Sequence, residues 1–261
     1  MYTTLTLETS GHIAYVTLNR PDKRNAISTV MMAELQTALD EIEKSHVRVA
    51  IITGAGKAFC AGMDLEMLAA IGKQSAAENQ EDSRRIAKMF RRIWSFPRPL
   101  IAAVNGAAYA GGCGIATLCD FTLAAPEAKF GYTEVKIGFL PAIVSVFLTR
   151  QIGEKRSRDL LLTGRIIDAA EAKEFGLVSE IVPAEQLLHR AQELAETLIE
   201  ASPSSLSRAK RLLISSEIAG VDHDLERAIL ENARIRCTPD FQEGLASFLE
   251  KRKPVWQGKP E

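Results

Sequence analysis

What most restricts the fold of this chain is a change of pattern near Ser145. Before it, short apolar runs alternate with helical stretches; after it, helical periodicity takes over. Residues 5–8 and 13–18 flank Ser10-Gly11-His12 as the two arms of a hairpin would. Met31, Leu35, Leu39 and Ile42 then recur at helical spacing, behind Ser28 or Thr29 as N-cap. Residues 47–53, 100–104 and 121–124 read as further strands, the first ending at Gly54 and the second at Asn105-Gly106. Strands that alternate with helices at this spacing need crossover connections, which predicts an α/β fold with a largely parallel sheet. From about Ser145, helical patterns run around residues 155–162, 169–175, 185–199, 204–218, 224–235 and 240–250, with Gly176 as a C-cap. No strong strand signal follows Val182, so an all-helical part is expected after the sheet.

Charge removes several classes. The 32 Lys+Arg nearly cancel the 33 Asp+Glu, for a net charge of −1, whereas a nucleic-acid partner calls for a surplus of cations. Apolar residues at 46% separate the chain from disordered ones, and 261 residues suffice for a substantial core. Residues 1–10 carry no basic patch followed by an apolar stretch, and no apolar run reaches membrane-spanning length. A cytoplasmic location away from the membrane is therefore expected. Cys60, Cys113, Cys119 and Cys237 form no CxxC pair and are expected as buried free thiols of a reducing compartment. His12, His46, His189 and His223 stand far apart in sequence and outside any metal motif, so no metal site is expected.

GxSxG and the phosphate-binding GxxxxGK[ST] are both absent, and Phe59 occupies the third glycine position of a dinucleotide fingerprint after Gly54-Ala55-Gly56. Two glycine-containing loops remain, at residues 54–65 and 105–120. Each follows an apolar strand and leads into a helical stretch. Glycines there let backbone approach a ligand, and two N–H groups facing each other can hold an oxyanion. Tight strand-to-helix turns packed with small residues are the alternative. A third element spans residues 130–142, where Glu134 lies in an apolar stretch bounded by Gly131 and Gly138. A carboxyl in such a setting loses hydration, its pKa rises, and it suits proton transfer. The alternative is a solvated glutamate, or one paired with Lys136.

In this order, the three elements resemble the enoyl-CoA hydratase/isomerase (crotonase) superfamily over nearly the whole chain. Leu18-Asn19-Arg20-Pro21 and Asn25-Ala26 precede them; Cys119-Asp120, Leu162-Thr163-Gly164-Arg165 and Gly176-Leu177-Val178 carry the likeness further. The resemblance implies a crotonase spiral of ββα units over residues 1–200. It also implies a helical C-terminal trimerisation region over residues 201–261, with homotrimers or hexamers of paired trimers. The implied substrate is an acyl-CoA thioester, with no separate cofactor because coenzyme A belongs to the substrate. By position, the Met63 and Gly111 N–H groups would form the oxyanion hole, with Glu134 as acid and base. Lys23, Arg24 and Ala26 would lie along the CoA with Ala61, Gly62, Asp64 and Leu65, and Gly112 and Gly114 fall in the same substrate-binding set. Solvated cations at Lys23 and Arg24, and a helix N-cap at Asp64, are the alternatives. Phe248 and Lys251, with the Lys251-Arg252-Lys253 run, match the region where a neighbouring subunit reaches the CoA; a solvated tail is the other possibility.

One departure bears on the chemistry. Hydratases of the superfamily place a second glutamate three residues after the Gly111 position, and here Gly114 stands there. The resemblance then leaves two catalytic expectations: an enoyl-CoA hydratase for a branched or carboxylated acyl group such as 3-methylglutaconyl-CoA, or a Δ3-Δ2-enoyl-CoA isomerase working with Glu134 alone. A non-catalytic acyl-CoA-binding member is the third. Retention of Glu134 and of both glycine loops speaks against it.

Overall fold

The computed structural model describes residues 1–258. Strands β1 (Leu5–Ser10) and β2 (Ile13–Leu18) form the expected antiparallel hairpin, with Leu5 opposite Leu18 and Ser10 opposite Ile13. Helix α1 (Thr29–Lys44) starts where Ser28 Oγ accepts the Met31 N–H at 3.1 Å, and it buries Met31, Leu35, Leu39 and Ile42. Then follow β3 (Val49–Gly54), β4 (Ala58–Cys60), α2 (Leu65–Ile71), α3 (Ala76–Trp94), β5 (Leu100–Val104), β6 (Ala107–Tyr109) and α4 (Gly111–Thr117). The chain continues through β7 (Phe121–Ala124), β8 (Lys129–Gly131), α5 (Ala142–Thr163), β9 (Ile166–Asp168), α6 (Ala169–Glu174) and β10 (Glu180–Ile181). Helices α7 (Leu187–Glu200), α8 (Pro203–Ser215), α9 (Ile218–Ile235) and α10 (Pro239–Leu249) complete it.

The strands form two sheets, not one. A six-stranded sheet has the order β1-β2-β3-β5-β7-β10, parallel from β2 onward, and a four-stranded sheet has the order β4-β6-β8-β9. Each spiral repeat lends one strand to each sheet: β3 then β4, β5 then β6, β7 then β8. This is the ββα spiral that the resemblance implied. The corner between β5 and β6 needs Gly106, because a Cβ there would overlap the Lys57 carbonyl oxygen.

Side chains alternate along the central strands. Ala50 and Ile52 face the main core with α1, α3, α4, α5 and α9, while Val49 and Ile51 face the layer covered by α7. Burial on both faces explains why these strands read as unbroken apolar runs.

Several expectations need correction. Helix α3 gave no apolar period because its buried face opens with Asn79, Asp82 and Ser83; apolar burial begins only at Ile86. Strands β9 and β10 lie among the helices after Ser145 and were not foreseen, being too short at three and two residues to show alternation; after Val182 only helices follow among the described residues, as expected. Helix α5 starts well before residue 155 and is broken at Gly153, φ +77°. Gly176, φ +86°, does follow α6. The turn between α7 and α8 falls at residues 201–202, yet α9 puts Val221, Leu225, Ala228 and Ile229 into the main core. Cys60, Cys113 and Cys119 are buried free thiols, but Cys237 is exposed, since its neighbour Arg236 takes the inward position at the end of α9. His12 and His46 are not apart in space: β2 and β3 run side by side, and the two rings meet edge to face at 5.7 Å. Among the described residues no cluster of His, Cys, Asp and Glu could hold a metal, and no helix is long and apolar enough to cross a membrane.

Candidate active site

The site is built where β4 and β6 end. After β4 the chain turns at Gly62, φ +93°, and Met63 pairs with Ile27 as a one-residue parallel bridge. Gly62 O accepts the Ile27 N–H at 2.7 Å, and the Asp64 N–H donates to Ile27 O at 2.9 Å. Both bonds lie on the Ile27 side, so the intervening Met63 N–H points the opposite way.

After β6, Ala110 adopts φ +49° and ψ −123°, a strained conformation for a residue with a Cβ, and donates its N–H to Gly131 O at 2.7 Å. That sharp corner starts α4 at Gly111, whose N–H, in the first turn, has no intrahelical acceptor. The two loops touch: a Cβ on Gly62 would sit 3.1 Å from Ala110 Cβ.

A cavity of about 600 Å³ opens beside them. Lys23, Arg24 and Ala26 line it from the first turn, Ala61, Met63, Asp64 and Leu65 from the loop after β4, and Glu134 and Phe248 from the far side. Gly62 and Gly111 are not among the walls themselves; they stand directly behind Met63 and Ala110. Gly112 and Gly114 are not among the walls either, and both are tightly packed where a Cβ would stand. A Cβ on Gly112 would overlap Cys60 O, and one on Gly114 would lie 2.8 Å from Phe90 Cε1 and 2.9 Å from Val144 Cγ1. Lys251 is likewise not a wall; it is exposed past the end of α10, its N–H on Phe248 O at 3.3 Å. Phe248 itself, 47% exposed, lines this chain's own cavity.

Glu134 opens a 3-10 turn, Glu134–Ile137, that follows β8. It is 8% exposed, and its Oε2 has no hydrogen-bond partner. Burial pushes its pKa from 4.5 up to about 7, only partly offset by its own backbone N–H. A charged neighbour has no part in this, so pairing with Lys136 is not its state. Helix α10 fixes the turn from behind, so closely that a Cβ on Gly244 would overlap Ile137 O.

Asp64 is the N-cap of α2, accepting the Glu66 N–H at 2.9 Å. Burial alone would raise its pKa, but the Glu66 amide and Arg20 together hold it below the ordinary carboxylate value. Lys23 Nζ lies 3.2 Å from Glu66 Oε1, both exposed, and Arg24 is exposed at the mouth. Asn25 is fully buried at φ +55°; its Nδ2 donates to Ala55 O and Ala58 O at 2.9 and 2.8 Å, and its Oδ1 accepts the Arg20 N–H at 2.8 Å. The cavity also has walls that sequence reasoning did not single out: Leu68, Tyr109, Thr133, Ile137, Phe139 and Ile166. Ile137 and Phe139 belong to the apolar stretch around Glu134. Tyr109 and Leu68 carried no signal beyond ordinary core character.

Comparison with known proteins agrees with this geometry. The sequence profile of the family described as "Enoyl-CoA hydratase/isomerase" matches residues 8–259. A Thermus thermophilus protein to which enoyl-CoA hydratase activity is ascribed is 46% identical over 245 residues, covering 94% of this chain and 97% of its own. The (E)-benzylidenesuccinyl-CoA hydratase of Thauera aromatica is 36% identical, with 97% and 99% covered. The crystal structure of an enoyl-CoA hydratase/isomerase from Xanthobacter autotrophicus Py2 superposes with a TM-score of 0.89 at 30% identity, over 97% of this chain and 98% of that one. On its sequence, its spiral of ββα units and the site between its loops, this chain belongs to the enoyl-CoA hydratase/isomerase family.

Proposed function

We propose that the protein is an enoyl-CoA hydratase whose acyl substrate is branched or carries a carboxylate, 3-methylglutaconyl-CoA being the type. The observation that carries this reading is the buried, unpartnered Glu134 carboxyl facing the same cavity as the Met63 loop. The thioester oxygen would sit between the Met63 and Gly111 N–H groups. As water adds to the β-carbon, the C=C electrons move toward that oxygen, and the two N–H groups stabilise the enolate. One such donor is typically worth about 3 kcal/mol. Glu134 then protonates the α-carbon, and the proton released by the water returns to its carboxylate. In the reverse direction Glu134 takes the α-proton.

At the mouth, Lys23 and Arg24 face the phosphates of the CoA, and Ala26, Ala61 and Leu65 face its chain. Asp64 serves through the loop it caps. The carboxylated acyl group finds support in the Thauera aromatica relative, whose name specifies a succinyl-type thioester. Assembly as trimers, single or paired, belongs to the same proposal; Leu212 and Leu213 of α8 are exposed apolar surface available for it. Sedimentation of the purified chain tests that part.

A second reading has one observation in its favour. Phe90 and Val144 fill the space beside Gly114, so α4 offers no second carboxylate, and an isomerase needs only one. Incubation in heavy water with crotonyl-CoA, a 3-enoyl-CoA and 3-methylglutaconyl-CoA separates the two. Loss of the conjugated enoyl absorbance means hydration; its gain from the 3-enoyl substrate means isomerisation. Tight acyl-CoA binding without hydration, isomerisation or α-proton exchange would refute both.

A further inference from the structure

We propose that Arg20 is a positioning residue of the oxyanion hole, its guanidinium clamping the two chain segments that aim the Met63 N–H. This rests on the reading that the Met63 N–H receives the thioester oxygen. The Met63–Ile27 bridge is a single residue long, and one further backbone bond, from the Ala61 N–H to Arg24 O at 3.0 Å, joins the same two segments. Arg20 spans it. Its Nη1 donates to Ala26 O at 2.6 Å, one residue before Ile27, and lies 2.7 Å from Asp64 Oδ2, one residue after Met63.

The Arg20–Asp64 contact is an ion pair made by the same Nη1 that donates to Ala26 O. The pair is largely removed from water, with side chains 19% and 5% exposed. Lys23 does not substitute for Arg20, because it is turned outward to Glu66. Without Arg20, the Asp64 carboxylate keeps only the Glu66 N–H among close partners, and the Ala26 carbonyl loses its donor. The two backbone bonds to Ile27 remain, but the segments on either side of the bridge lose the group that ties them, and the Met63 N–H is aimed less firmly.

The test uses cinnamoyl-CoA, an enoyl thioester whose absorbance moves to the red when charge is drawn onto its carbonyl oxygen. In the full-length chain, Arg20→Met is expected to cut the red shift of the bound probe by at least half. It should lower kcat about 10- to 100-fold with KM within about threefold, as for a reacting group displaced by a fraction of an ångström. Arg20→Lys, which keeps the charge but not the fork, should recover part of both. A folded Arg20→Met with the wild-type red shift and kcat, or with KM alone raised, overturns the proposal. Should Arg20→Met not fold, Arg20→Met/Asp64→Asn removes both buried charges and keeps a side-chain cap for the Glu66 N–H. The red shift is then read in that variant, a reduced shift supporting the role and a wild-type shift refuting it. A wild-type chain that gives no red shift refutes the oxyanion reading itself, and the role of Arg20 with it.

Discussion

Replacing Glu134 by Gln should abolish turnover and at the same time make the protein more stable, but only at neutral and alkaline pH. Unfolded, Glu134 titrates near 4.5; folded, burial holds it at about 7. Below about pH 4.5 both states carry the proton and ionisation costs folding nothing. Between the two values the unfolded chain gives up its proton first, so stability falls as pH rises, and the loss is complete above about 7. At about 1.4 kcal/mol for each tenfold change in acidity, the penalty reaches about 3 kcal/mol. A glutamine side chain at this position has nearly the same shape and no ionisation, so the variant escapes it. Urea denaturation of both proteins at pH 5, 6, 7 and 8.5, at one fixed chain concentration, reads the difference. The gap between variant and wild type should be small at pH 5 and open to about 3 kcal/mol by pH 8.5. A gap that stays flat with pH, or that favours the wild type at high pH, would refute the claim that the folded site holds an ionisation-penalised carboxyl at this position.

Other outcomes follow from the same geometry. Exchange of the α-protons of a saturated acyl-CoA in heavy water requires the Glu134 carboxylate, so its rate should rise through about pH 7 in the wild type and vanish in Glu134→Gln, followed by mass spectrometry. Gly114→Glu should destabilise the fold by about 3 kcal/mol or more, because its Cβ presses on Phe90 and Val144 and its charge is buried; Phe90→Ala in the same chain should recover part of the loss in urea melts. Gly244→Ala should push the Ile137 carbonyl and the Glu134 turn forward, so that activity measured at a temperature where the variant is fully folded still drops at least tenfold. Asn25→Ala should cost about 3 kcal/mol in thermal or urea unfolding, since it strips partners from Ala55 O, Ala58 O and the Arg20 N–H and puts alanine at φ +55°.

Much of this was legible in the order of residues, for identifiable reasons. Glu134 stood out as a carboxyl inside an apolar, glycine-bounded stretch, but Lys136 two residues on kept an ion pair open until the resemblance, and then the fold, favoured the unpaired state. The central strands announced themselves because burial on both faces leaves no polar alternation. Helix α3 stayed hidden because Asn79, Asp82 and Ser83 turn inward, satisfied by partners far along the chain: Arg236 for Asp82 at 2.8 Å and Asn232 for Ser83 at 2.9 Å. No window of sequence around residue 80 contains residue 236. The second sheet stayed hidden because β4, β6, β8 and β9 are three residues each, below the length at which a period can be counted. The packing around Gly112 and Gly114 stayed hidden because sequence shows that a side chain is missing, not what fills its place.

That last point changes what the missing carboxylate means. Read from sequence, Gly114 looks like a vacancy, a spot where a water could be held if some other group compensated. In the fold the ring of Phe90 and the methyl of Val144 lie where a side chain at this position would go. Glu134, which lines the cavity with Thr133, Ile137 and Phe139, has no charged neighbour to share a proton. On the proposed reading, a substrate carrying its own carboxylate would supply a second acid or base without altering the protein. The same economy governs the other end of the ligand. With a net charge of −1, the chain has no surplus of cations, yet two exposed ones, Lys23 and Arg24, stand at the mouth of this cavity. On the proposed reading, specificity for a phosphorylated thioester would follow from where the positive groups stand and not from how many there are.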